Sequence, residues 1–149
     1  MKIVLSTLFC LIGVSVPLAL TQTPGSHPEY TNARSDLRAA QILMRVHDDR
    51  DVMNKLKVAD VEIDKAVWEI DHAGVLDKMK INEHPPVNMS FDRVGRFQKV
   101  RDLLVNARSI VEHKESDAKA APWREEALKR INTALGLVKQ AASDLKINL

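Results

Sequence analysis

Between Val52 and Ala73 the apolar residues Val52, Leu56, Ala59, Ile63, Ala66, Ile70 and Ala73 recur in steps of 4, 3, 4, 3, 4 and 3. Only an α-helix, at about 3.6 residues per turn, brings that spacing onto one face, so the stretch predicts a long helix with a single buried stripe. From residue 59 onward the stripe alternates Ala with a branched side chain, and the same alternation returns in Ala127, Ile131, Ala134, Val138, Ala141 and Leu145. Small seam residues let two helix backbones approach towards the short end of the usual ~8–10 Å, while Ile and Val fill the layers between. Two helices of one design imply a helical bundle.

The remaining chain supplies two more helices. Ser26 and Glu29 stand in capping-box relation and Pro28 suits a first turn, so a first helix is expected from Pro28, its stripe Tyr30, Ala33, Leu37, Ala40 and Met44 ending on a buried His47. Asp48, Asp49 and Asp51 offer caps and dipole-matching charge for the second helix, which Gly74 would stop. Pro85-Pro86 forbids helix in the connection that follows. A third helix capped by Ser90 would bury Val94, Phe97, Val100, Leu104, Ala107 and Val111, and a fourth opens with Pro122 and runs to about Leu145. A shift of 67 lays Tyr30, Leu37 and Ala40 over Phe97, Leu104 and Ala107, and a shift of 68 lays Ala59, Ile63 and Ala66 over Ala127, Ile131 and Ala134. The reading is an all-α, up-down four-helix bundle over 28–149, two helical hairpins joined by a Pro-Pro crossover.

Residues 1–21 carry one Lys, an apolar run from Ile3 to Leu20 and a small-residue exit, the pattern of a secretory signal peptide, with 22–27 as linker. The competing reading is an uncleaved anchor, since the run just suffices to span a bilayer. Cleavage would remove Cys10, leaving an exported domain without disulfides that is stabilised by packing alone. Beyond Lys2, 21 basic and 20 acidic side chains are interspersed. No basic block favours nucleic acid or, once the leader is gone, a membrane surface, and few aromatics are present to stack bases.

Catalytic signals are absent. There is no Gly-x-Ser-x-Gly turn and no Gly-rich loop entering a helix, and only five Gly occur in all, so the chain reads as non-catalytic. Metal binding is the sharper alternative. Glu69 and His72 form the Glu-x-x-His element that carboxylate-bridged bundles use twice, but no second copy exists. Met44 and His47 are a soft ligand pair on the first helix, equally readable as a packed Met and a His closing the bundle end. His27, His84 and His113 fall where solvated histidines are normal. An exported four-helix bundle also resembles the periplasmic b-type and c-prime-type cytochromes. Cys-x-x-Cys-His is absent and the last helix holds no His, so haem, and any other cofactor, is not implied.

Trp68 lies off the main stripe beside Val61 and Val75, and Trp123 opens the fourth helix. Each either covers an edge of the bundle or belongs to a partner-binding patch. The crossover adds His84, Val87 and Met89 as loop contact residues, and Asn88-Met89-Ser90 is a sequon that matters only in a eukaryote. His27-Pro28-Glu29-Tyr30 with Ala33, Asp36-Leu37-Arg38 and Ala40, then Pro85-Pro86-Val87 and Trp123-Arg124, resembles a family of small exported bacterial helical proteins to which no activity is attached. The resulting expectation is an exported, periplasmic or secreted scaffold or interaction module with another envelope or secreted protein as partner. The alternative is a periplasmic metal- or cofactor-binding bundle.

Overall fold

The computed structural model describes residues 28–75, 86–113 and 118–149. The leader, the linker with the Ser26 cap, and His84 lie outside the described residues. Four helices are present among those described, α1 (Pro28–Met44), α2 (Arg50–Val75), α3 (Arg93–Glu112) and α4 (Ala121–Asp144), and no strand. None of them is long and apolar enough to cross a membrane.

The stripes read from the sequence form the core. Every residue of the Val52–Ala73 stripe is buried, as are Ala127, Ile131, Ala134, Val138 and Ala141, and Tyr30, Ala33, Leu37, Ala40 and Met44 meet them from α1. The α3 stripe enters one turn later than expected. Val94 is exposed because α3 starts only at Arg93, so the inward face begins at Arg96 and Phe97. Its cap is Asp92 rather than Ser90: the Asp92 carboxylate accepts from the Gly95 N–H at 2.8 Å, while the Ser90 N–H donates to Asn88 Oδ1.

His47 is a second correction. Helix α1 ends at Met44, and the turn that follows leaves His47 exposed and sends Asp48 inward instead. There Asp48 pairs with Arg96, which also donates to the Val46 carbonyl at 2.9 Å, and with Arg93 at 3.1 Å. Asp48 is therefore more than the cap it was expected to be: it fastens the α1–α2 turn to the start of α3.

Each hairpin is antiparallel. In the first, Arg34 meets Asp71 at 2.7 Å, Arg38 meets Asp64 at 2.7 Å and Arg45 meets Asp60 at 3.2 Å, α1 rising as α2 falls. In the second, Arg124 donates to the Glu112 carbonyl at 3.1 Å. The hairpins pack face to face, α1 on α3 and α2 on α4, with α1/α4 and α2/α3 on the diagonals. Arg96 lies beside Val46 and Asn106 donates to Asp36, so α1 and α3 also run antiparallel. Lys55 pairs with Asp144 and Glu62 with Arg130, which makes α2 and α4 antiparallel as well. Consequently α2 ends where α1 begins, and α3 begins at the opposite end of the bundle, where α1 stops, so the four-helix bundle runs up-down-down-up with α2 and α3 parallel rather than in simple up-down order.

That register agrees with the internal repeat. The Asp36–Asn106 bond sets Leu37 level with Leu104, residues superimposed by the shift of 67, and Glu62 meets Arg130, its own equivalent under the shift of 68. The hairpins are thus related by an approximate two-fold axis perpendicular to the helices. Helix α4 closes on a Schellman motif, with Lys146 N–H donating to Ser143 O and Ile147 N–H to Ala142 O, both at 2.9 Å.

Candidate functional site

Along the outer side of α2, Val58, Val61, Lys65, Trp68 and His72 follow one another at helical spacing. Val58, Val61 and Trp68 remain 52%, 51% and 51% exposed. These apolar residues sit opposite the core stripe and nothing among the described residues covers them. Equivalent positions on α4, one repeat later, are Glu126, Lys129, Thr133, Gly136 and Gln140. The buried design is shared by the two hairpins, whereas the exposed apolar row belongs to α2 alone.

The antiparallel register of α2 and α4 brings Trp68 and Trp123 together with their ring centres 5.4 Å apart, edge to face at 72°. His72, one turn past Trp68, stacks on Trp123 at 5.0 Å and 29° and lies against Trp68 at 3.8 Å. Its Nδ1–H donates to the Trp68 carbonyl at 2.8 Å, which fixes the ring. Offset and edge-on aromatic pairs of this kind add about 0.5–1.5 kcal/mol each beyond their area. Trp123 is partly buried against the core, while Trp68 is half exposed.

Beneath the rings runs a row of charges between α2 and α4. Glu62 accepts from Lys65 at 2.7 Å and from Arg130 at 3.2 Å. The hydrogen bond from Lys65, with that from Arg130, outweighs burial and holds the Glu62 carboxyl below its ordinary range. Arg130 also reaches Glu126 at 3.8 Å, and Lys129 meets Glu126 at 3.4 Å. Glu69, two turns along α2 from Glu62, differs. It is 9% exposed, and its Oε2 is buried without a hydrogen-bond partner. Burial and, next, the charge of Glu126 push its carboxyl above the ordinary range, more than Arg130 and His72 pull it down.

The four metal candidates divide into two pairs. Met44 lines a cleft with room for about one water, against Leu56, Arg96 and Phe97, while His47 is on the outer turn. Leu56 is about 20 Å along α2 from Glu69 and His72, so the pairs occupy opposite ends of the bundle. Of the loop candidates, Val87 is folded partly onto the core, Met89 is 49% exposed and His84 lies outside the described residues. Sequence reasoning named Trp68 and Trp123 separately; that they meet follows only from the α2/α4 register. By sequence Glu69 is a ligand candidate under the alternative reading alone, and its unmatched burial has no sequence signal beyond a charge next to a core stripe.

Comparison with protein-family models, curated proteins and solved structures finds no match for this chain. Function is therefore read from the geometry.

Proposed function

We propose that the protein is a non-catalytic interaction module, exported by the leader read in residues 1–21, whose contact face is the outer α2/α4 groove rimmed by Val58, Val61, Trp68 and Trp123. The observation that carries this reading is the asymmetry between the repeats. A large aromatic and two valines are held in water at α2 positions where α4 places glycine and two charged residues. Packing does not require them there, and an apolar row of this kind costs solubility unless another surface covers it. Aromatic residues are also the commonest anchors of protein interfaces.

Site-specific photo-crosslinking in the native host tests the reading. A photoreactive residue at Val61 should trap one discrete partner, the same residue at Thr133 on the polar α4 face should not, and Trp68→Ala should abolish the adduct. Equal labelling from both faces, or none from Val61, overturns it.

A further inference from the structure

We infer that the groove takes an arginine side chain of its partner at Glu69, the guanidinium lying on the exposed face of Trp68. This deepens the docking reading above and rests on it. The other carboxylates along the groove are matched: Glu62 meets Lys65 and Arg130, and Glu126 meets Lys129, while Arg130 keeps its Nε–H without a partner. Among the described residues, Glu69 is the carboxylate that retains a buried oxygen with no donor, and a second carboxylate, Glu126, acts on it. Arg130, the nearest cation on α4, is engaged with Glu62 and Glu126 and leaves that oxygen unmet. A buried acceptor without a donor costs free energy, which an incoming cation would recover.

Two features select arginine over lysine. The indole of Trp68 is half exposed, a flat surface on which a planar, weakly hydrated guanidinium stacks and a compact ammonium does not. A guanidinium also offers several N–H groups in a fixed fork to the Glu69 carboxylate, and the neighbouring charge of Glu126 adds to the negative field it enters. Val61 and Val58 lie about two and three turns from Trp68 on the same row. The segment that fits is thus an amphipathic helix bearing an arginine at one end and aliphatic side chains two and three turns away, laid along the groove.

Synthetic helices of about five turns test this against the intact protein. One carries arginine with leucines two and three turns from it, the second has that arginine replaced by glutamine, and the third has the leucines replaced by alanine. Tryptophan emission is the readout, because Trp68 and Trp123 are the chain's two tryptophans and both lie in the site. The arginine helix should bind saturably, and about ten-fold or more tighter than the glutamine helix, the scale of one charge-assisted hydrogen bond. Alanine for leucine should weaken it further. Glu69→Gln should erase the preference for arginine while circular dichroism stays unchanged. Equal binding of the arginine and glutamine helices, a preference that survives Glu69→Gln, or no binding of any helix overturns the inference. The crosslink from Val61 is read independently, so a face that docks a partner without needing arginine is told apart from a face that docks nothing.

Discussion

Glu62 of α2 accepts a hydrogen bond from Arg130 of α4 at 3.2 Å, and the two residues hold the same position in the two hairpins. A charged pair on the approximate two-fold axis gives opposite side chains to positions that are otherwise matched, which fixes the register of the α2/α4 seam. Because its donors hold Glu62 below the ordinary carboxylate range, the stabilisation is present above that range and is lost as pH falls through the lowered value. Glu62→Gln should therefore cost about 1–3 kcal/mol near neutral pH. Urea midpoints taken at neutral pH and again near pH 3 should show the deficit shrinking in acid; a deficit of equal size at both would mean that shape, not charge, is what Glu62 supplies.

Two turns along the same helix the sign reverses. The carboxyl of Glu69 is raised by burial and by Glu126, so its favourable contribution exists while it is protonated and is lost as pH rises through the raised value. Near neutral pH the ionised, unmatched carboxylate is a cost. Glu69→Gln is expected to stabilise the protein there by on the order of 1 kcal/mol, with the gain fading on acidification. Destabilisation by this substitution at neutral pH would show that the carboxylate has a donor after all.

At the far end of the bundle Asp48 and Arg96 form a buried pair between the α1–α2 turn and α3. Asp48→Ala strands the Arg96 guanidinium and should cost about 3–5 kcal/mol, whereas replacing both by apolar residues, Asp48→Leu with Arg96→Met, should recover most of the loss. Denaturant unfolding of the single and double variants is the measurement. A double variant as unstable as the single would show that the Val46 carbonyl, which loses its Arg96 donor only in the double variant, costs as much as the stranded guanidinium.

What could be read from the chain was whatever depends on local period. The stripes of α2 and α4, the Pro122 start of α4 and the two-hairpin plan follow from spacing and side-chain shape, and all are present. Where a residue's fate depends on a partner far away in sequence, spacing is silent. His47 and Asp48 are adjacent, and it is Arg96, 48 residues from Asp48, that decides which of them turns inward. Val94 fits the α3 stripe by period, yet it precedes the point where α1 meets α3. The same limit applies to the groove: Trp68 and Trp123 become one aromatic cluster only through the antiparallel α2/α4 register, and the mismatch at Glu69 needs the positions of Glu126 and Arg130 to be seen.

Helix α4 and the cap that follows it contain two residues that local physics alone would replace. Gly136 sits mid-helix, and a Cβ added there would meet nothing within 4 Å, so Gly136→Ala removes backbone freedom from the unfolded chain without a clash and should stabilise by about 0.5–1 kcal/mol. Lys146 occupies the left-handed position of the Schellman motif at φ 59°, where a Cβ crowds the following carbonyl. Lys146→Gly relieves that strain and should contribute about 1 kcal/mol while keeping the bonds to Ser143 and Ala142. The two sites are about 15 Å apart along the helix and share no partner, so their effects should add. Thermal unfolding of both single variants and the double tests this, and a double gain smaller than either single gain would show that the end of α4 is coupled to its middle. Gly136 is the α4 equivalent of Trp68, so its alanine variant should leave the crosslink from Val61 intact, separating the packing of this position from the contact made by its counterpart.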